Sequence, residues 1–267
     1  MKNVNIRKAT IKDKAQILKF CKNTWTTSEK NEKDETRQEY IHIVYDRWIR
    51  RKSLLLAEID HKPVAILNAV PSKDGSAWLE GLRVSPAYKR KGLGSLLTNY
   101  VLNNYKYVRL SIYEWNEPSK KLAKKLGAKL IDTYMFINLK RCKYKDSNCK
   151  FAKDPDKIFA LTNYGKNAIF VDYSYFYPDL EIIEKLISKR SIIEDQNGFG
   201  QVLRYKEEAS LIIDNAVKIE NLVNFFCKKY KNKKKYLVLK SDIFYNNTEF
   251  LKNFKNIEKL NIYEIAK

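Results

Sequence analysis

Histidine is almost missing from this chain of 267 residues, which holds two, and cysteine is scarce at four. Cys21, Cys142, Cys149 and Cys227 stand far apart, and with so few imidazoles they make no zinc-ligand spacing, so no metal site is expected. Cys142 and Cys149 flank a polar stretch and could bridge, but free thiols are the expectation for a cytoplasmic protein. Long apolar runs are missing as well. Nothing approaches the ~20 residues of a membrane span, and no basic start leads into an apolar core, so a cytoplasmic protein without membrane contact is expected.

Acid is the other deficit: 31 Asp and Glu face 52 Lys and Arg, for a net charge of +21. Residues 1–143 hold 30 basic against 14 acidic side chains and residues 144–267 hold 22 against 17, so most of the excess lies in the first half. Such a field steers a polyanion. The plainer alternative is a set of solvated helix faces, with Lys120, Lys121, Lys124 and Lys125 on one helix and a basic run at 228–235 complementing the negative end of another. Nucleic acid is therefore a candidate partner, but not the favoured one.

Glycine is also sparse, at eight, yet two glycines stand together in the most informative stretch. Residues 78–84 read as an apolar strand, Ser85-Pro86-Ala87-Tyr88-Lys89-Arg90-Lys91-Gly92 as a basic turn, and Leu93-Gly94-Ser95-Leu96-Leu97 as the start of an amphipathic helix. A helix start leaves unpaired backbone N–H groups at the positive end of the dipole, and the missing side chains of Gly92 and Gly94 let an anion come close. That is a phosphate cradle. It is not a dinucleotide loop, which needs a third glycine where Leu97 stands, nor a P-loop, which needs Gly-Lys-Ser/Thr.

With Lys89 in the usual Gln/Arg position and Val84-Ser85-Pro86 before it, the segment resembles the pyrophosphate loop of the GCN5-related N-acetyltransferases, Gln/Arg-x-x-Gly-x-Gly/Ala. The order of elements over the first ~140 residues resembles that family too: a strand at 4–10, helices at 11–24 and 37–51, strands at 54–59 and 64–70 about a turn at 60–62, then the strand, cradle and helix, a strand at 108–113 and a helix from Asn116 to Leu126 stopped by Gly127. Asn116, Leu122, Lys125 and Gly127 match the family's next motif, but Ala123 and Ala128 replace its tyrosine and phenylalanine. A looser likeness, over Tyr40-Ile41, Trp48-Ile49, 55–58 and 78–84, is to the branch that includes histidine N-acetyltransferase-like proteins with a C-terminal extension.

The resemblance implies an acetyl-coenzyme A-dependent N-acetyltransferase acting on a primary amine, a small molecule or amino acid before a peptide. A non-catalytic module binding acyl-coenzyme A or nucleic acid is the alternative from another class. It implies coenzyme contacts at Leu82, Arg83, Val84, Lys89, Arg90, Lys91, Gly92, Leu93, Gly94 and Ser95, with Asn116 and Ser119 beside them. Glu80 is the implied base, with pairing to Arg83 as the structural alternative. Strand alternation is expected to put Trp78, Glu80, Leu82 and Val84 on one face. The family tyrosine protonates the leaving thiolate, and its loss at Ala123 leaves Tyr134, Tyr113 and Tyr88 as local candidates, or no acid at all. His42 and Trp48 line the acceptor site or only pack the second helix.

The fold class expected is α/β (α+β), a mixed and mostly antiparallel sheet flanked by helices over residues 1–143, a linker at 144–157 and a smaller α/β lobe at 158–267. In that lobe, strands are expected at 158–162, 168–174, 201–205, 210–213, 236–240 and 260–265, with helices at 178–189, 217–230 and 246–254. Laying 108–136 over 237–265 pairs Leu110 with Leu239 and Ser119 with Thr248 in the same strand–helix–strand order, which suggests a degenerate copy of the first lobe. Asp214-Asn215-Ala216 offers no glycine there, so this lobe is expected to bind no coenzyme.

Overall fold

The computed structural model describes residues 4–22, 24, 39–139, 145–165, 167–171, 174–204, 208–252, 254 and 257–267. Cys142, the expected domain boundary at 143 and the expected start of the second helix at 37 lie outside them. The chain divides into two compact units, one of Met1–Leu110, Pro118–Lys129 and Glu264–Lys267, the other of Ser111–Glu117 and Leu130–Tyr263. The strand that follows Gly127 thus counts almost wholly with the second unit, and the last four residues count with the first.

In chain order the elements are β1 (Val4–Lys8), α1 (Lys14–Cys21), α2 (Ile41–Arg50), β2 (Leu54–Ile59), β3 (Lys62–Pro71), β4 (Ser76–Val84), α3 (Leu93–Leu102), β5 (Tyr107–Tyr113), α4 (Glu117–Lys125) and β6 (Lys129–Asn138). There follow β7 (Lys150–Phe151), α5 (Pro155–Leu161), β8 (Ile169–Val171), β9 (Ser174–Phe176), α6 (Leu180–Ser188), β10 (Ile192–Asp195), β11 (Gly198–Arg204), β12 (Glu208–Ala216), α7 (Glu220–Lys229), β13 (Lys234–Lys240), α8 (Ser241–Asn246), α9 (Thr248–Leu251) and β14 (Ile257–Ala266).

The first unit orders its strands β1-β2-β3-β4-β5, antiparallel except for the parallel β4–β5 step. One apolar face of this sheet packs on α3 through Leu93, Leu97 and Val101, and the other carries α1 and α2 through Ile17, Ile41, Tyr45 and Trp48. At its edge, Asp13 takes the Thr10 N–H and two hydrogen bonds from Arg7. The Arg7 guanidinium pulls the Asp13 carboxyl down to about 2. A folded pKa below the unfolded one stabilises above about pH 4 and is lost as pH falls toward 2, here by at most about 2 kcal/mol. Asp13→Asn should therefore lower stability at pH 7 and flatten the acid loss between pH 4 and 2, as read by urea unfolding at both ends.

The second unit orders β14-β6-β13-β12-β11-β10-β7, with the β12–β13 step parallel, and carries a β8–β9 hairpin. Three expected elements differ and one is added. The expected strand at 168–174 is instead β8 and the start of β9. Residues 158–162 belong to a helix, because Asp154 caps the Lys157 N–H and Pro155 opens the first turn. The 246–254 helix is two short ones joined at Asn247. Strand β10 was not anticipated; its four residues form a buried hairpin arm with β11. Cys21 and Cys149 are free and buried, but Cys227 is disulfide-bonded, against the expectation of four free thiols.

The two units repeat one order of elements, β7 to β14 matching β1 to β6 with the β8–β9 hairpin added. Their bulges agree as well: the β3–β4 register jumps between Asn68↔Glu80 and Ile66↔Arg83, and the β11–β12 register jumps between Gln201↔Ile212 and Phe199↔Asn215. The parallel steps begin at Ser76↔Tyr107 and at Glu208↔Lys234, which matches Leu110 to Leu237, two residues from the expected Leu239.

Candidate active site

The β4 strand carries Glu80 and leads into the Gly92 turn, and a bulge decides where its side chains go. Gly81 has φ +68°, and a Cβ there would stand 2.3 Å from the Trp48 ring, so only glycine lets α2 lie this close. Because Asn68 and Ile66 share a face of β3, their partners Glu80 and Arg83 share a face of β4. Leu82 and Val84 pack with the α3 cluster instead. The expected alternation of Trp78, Glu80, Leu82 and Val84 is therefore corrected: the extra residue of the bulge turns Leu82 and Val84 to the opposite side from Glu80.

On the α2 side, Glu80 accepts from Asn68 Nδ2 at 2.8 Å, and Asn68 Oδ1 accepts from Ser53 Oγ at 2.7 Å. Asn68 is wholly buried. Arg83 does not turn toward the cradle; its Nε donates to Glu39 Oε2 at 2.9 Å and its guanidinium lies 5.3 Å from the Tyr40 ring centre. Its side chain is thus committed to Glu39 and Tyr40. Trp48 is buried over Gly81, and His42 is exposed on the same helix.

The turn from β4 to α3 is built as an anion cradle. Arg90 and Gly92 have φ +62° and +78°, and Gly92 sits at the N-cap of α3. Among the described residues no carbonyl receives the N–H groups of Leu93, Gly94 and Ser95, as expected of a helix's first turn. A Cβ on Gly94 would meet Leu122 at 3.0 Å and Leu82 at 3.3 Å, so this glycine brings α3 close to α4 and β4. Lys89 spends its ammonium on the Thr24 carbonyl at 2.6 Å, and Lys91 Nζ lies 4.9 Å from the Tyr88 ring centre, while Arg90 is exposed. Ser119 lies in the first turn of α4.

Two expected site residues fall in the second unit. Asn116 precedes α4, and its N–H donates to the Tyr113 carbonyl. Tyr134 on β6 is fully buried, and its hydroxyl donates to Asp214. Burial first and the Asp214 charge second raise its pKa well above the usual tyrosine value. Asp214 is thus held inside the second unit by Tyr134 and Gln201.

The second unit lacks the features of the β4–α3 turn. Eight residues join β4 to α3, but three join β12 to α7. The α7 start is occupied by protein, since Ile219 N–H donates to Asn247 Oδ1 and Asn247 Nδ2 to the Val217 carbonyl. The parallel register stops at Leu79↔Leu110 in the first unit, whereas the matching one continues through Ile212↔Val238 to Ile213↔Leu239. By these registers Glu80 corresponds to Ile212, which is fully buried.

Asn68 and Ser53 were missed from sequence. The one signal was a polar residue within the apolar run Val64-Ala65-Ile66-Leu67-Asn68-Ala69-Val70.

Residues 18–128 match the model of the acetyltransferase (GNAT) family. No curated protein matches the sequence. Among solved structures the fold is similar to that of a proposed acetyltransferase from Thermoplasma acidophilum (TM-score 0.73, 21% identity, 98% of this chain and 100% of that one). It is also similar to a GCN5-related N-acetyltransferase from Sphaerobacter thermophilus (TM-score 0.64, 11% identity, 100% and 97%). A tandem GNAT protein from the clavulanic acid biosynthesis pathway matches at TM-score 0.56 and 10% identity over 99% of this chain and 98% of that one.

Proposed function

We propose that this chain, whose residues 18–128 match the model of the acetyltransferase (GNAT) family, transfers the acetyl group of acetyl-coenzyme A to a small primary amine or amino acid, with Glu80 as its base and with one coenzyme site, in the first unit. The observation that carries this is the 89–95 turn, where left-handed Gly92 presents the first N–H groups of α3 outward. Those donors suit a pyrophosphate, and the backbone of Leu82, Arg83 and Val84 suits an extended pantetheine arm. Ser119, in the first unit, remains a candidate for that arm. The coenzyme supplies an acetyl thioester.

An attacking amine must lose a proton, and Glu80, on the face away from α3, is oriented to take it. No tyrosine stands at Ala123, and the Tyr134 hydroxyl is buried and donates to Asp214, which speaks against Tyr134 as the acid. Tyr113 and Tyr88 remain, but a thiol of pKa about 8.5 leaves readily without a dedicated donor. The +21 charge and its bias toward residues 1–143 favour capture of the anionic coenzyme.

Calorimetry on the full chain should give one acetyl-coenzyme A per molecule. Gly92→Asp should raise its dissociation constant at least about 10-fold, the equivalent of about 1.4 kcal/mol, because a carboxylate then meets the pyrophosphate. Gly92→Asn carries the same left-handed backbone cost without the charge and should lose less. Two sites per chain, or unchanged affinity in folded Gly92→Asp, would overturn the assignment.

A further inference from the structure

We infer that Asn68 and Ser53 form a positioning relay that keeps Glu80 ionised and aimed, and that Asn68 is the residue through which the buried sheet sets the activity of this carboxylate. The inference rests on the proposed role of Glu80.

Hydrogen-bond chemistry favours one arrangement with an ionised Glu80. Ser53 Oγ has a single proton, and two acceptors lie within reach: Asn68 Oδ1 at 2.7 Å and the Trp48 carbonyl at 3.4 Å. The shorter contact takes the proton. The Asn68 amide is then fixed with its oxygen toward Ser53 and its NH2 toward Glu80, at 2.8 Å. Rotating the amide by half a turn would set its oxygen against the ionised Glu80 carboxylate and would leave the Ser53 proton only the longer contact to the Trp48 carbonyl. An amide donor favours the ionised carboxylate, because a neutral carboxylic acid accepts such a bond less strongly.

The backbone enforces the same geometry. Asn68 stands opposite Glu80 in the β3–β4 register, just before the Gly81 bulge, and Ser53 is held at the end of α2 by its own N–H on the Trp48 carbonyl and its carbonyl on the Ala69 N–H. Asn68 is 0% exposed and Ser53 7%, so the Ser53–Asn68 bond is shielded from water, while Glu80 is half-buried. A buried amide in an apolar strand is costly unless both of its ends are satisfied. Here both are. The matching position of the second unit is Gln201, which stands opposite the apolar Ile212 and whose amide donates instead to Asp214, two residues further along β12.

The test compares Asn68→Asp, Ser53→Ala, Glu80→Gln and the double variant Asn68→Asp/Glu80→Gln in the full chain, measuring the pH profile of turnover and the coenzyme affinity. Asn68→Asp replaces the donor by a second carboxylate and should move the acidic limb of the profile up by about one pH unit or more. Turnover at neutral pH should fall about tenfold or more, with coenzyme affinity unchanged. Ser53→Ala, a milder change at a small buried hydroxyl, should move the same limb in the same direction by less. In the Glu80→Gln background, Asn68→Asp should cost little further turnover, since its effect acts through Glu80.

An equal fall at every pH with no movement of the limb in either variant, or full additivity in the double variant, would overturn the relay. If Glu80→Gln alone retains its turnover, the base assignment fails rather than the relay's geometry. If Asn68→Asp does not fold, the Ser53→Ala profile decides.

Discussion

Glu80→Gln is expected to lower turnover by roughly 10²–10⁴-fold while leaving the fold and the coenzyme affinity intact. Glutamine keeps the length and one acceptor oxygen, so Asn68 Nδ2 still finds a partner on the first-unit sheet. The cradle stands on the opposite side of the bulge, in the backbone of residues 89–95, and does not use the Glu80 side chain. What is lost is the ability to accept a proton. The acidic limb of the rate profile should flatten, and the deficit should shrink at high pH, where the acceptor amine is already neutral. A constant deficit across pH would assign Glu80 a positional role; near-full turnover at every pH would remove it from the mechanism. Coenzyme A release from acetyl-coenzyme A, measured with amino acids, polyamines and peptides, reads both rate and acceptor class.

The second large effect is on stability. Arg109 is 2% exposed on β5, where its Nη1 donates to Asp74 Oδ2 at 2.7 Å and to Ser76 Oγ at 3.1 Å and its Nε donates to Glu264 Oε2 at 3.0 Å. One guanidinium thus fastens the β3–β4 turn and the C-terminal residues within the first unit. Arg109→Leu leaves two carboxylates without their cation and should cost about 3 kcal/mol, the low end for a broken buried pair because Asp74 and Glu264 keep some access to water. Arg109→Lys restores the charge but not the fork, so it should recover part of the loss.

The acid dependence carries a distinguishing sign. Burial works to raise the Asp74 pKa, but its hydrogen bonds from Arg109 and Ser76 prevail and hold it below the usual carboxylate value. A lowered folded pKa stabilises above about pH 4 and is lost as pH falls below it. Arg109→Leu should therefore show a smaller drop in stability on acidification than the parent, in parallel urea titrations. Equal stability of the two proteins at pH 7 would refute the clamp.

Much of the candidate site could be read from local sequence because its donors are backbone groups. A strand, a basic turn and Gly92-x-Gly94 before an amphipathic run specify a left-handed cap and free first-turn N–H groups wherever they fold, and the φ of +78° at Gly92 is the consequence. The second lobe's lack of a cradle was legible for the same reason, from a missing glycine. Its helix at 155–161 was misread as strand because Ile158, Phe159 and Leu161 read alike in either element, and the Asp154 cap was the overlooked cue.

What the sequence determined by itself, then, was the alternation of strands and helices and the left-handed glycine turn before α3, set by periodicity and glycine within a few residues, whereas Glu80 entered as what the family resemblance implies. Tertiary structure alone decided the rest. Whether Leu82 faces with Glu80 depends on a bulge that exists only when β3 pairs with β4 and Trp48 presses on Gly81. The orientation of Glu80 comes from Asn68 and Ser53, which are 12 and 27 residues away in sequence and adjacent only in the paired sheet. Lys89, Arg83 and Tyr134 look free in the sequence, yet they are committed to Thr24, Glu39 and Asp214, since a buried or half-buried polar group takes whatever partner the packed chain supplies.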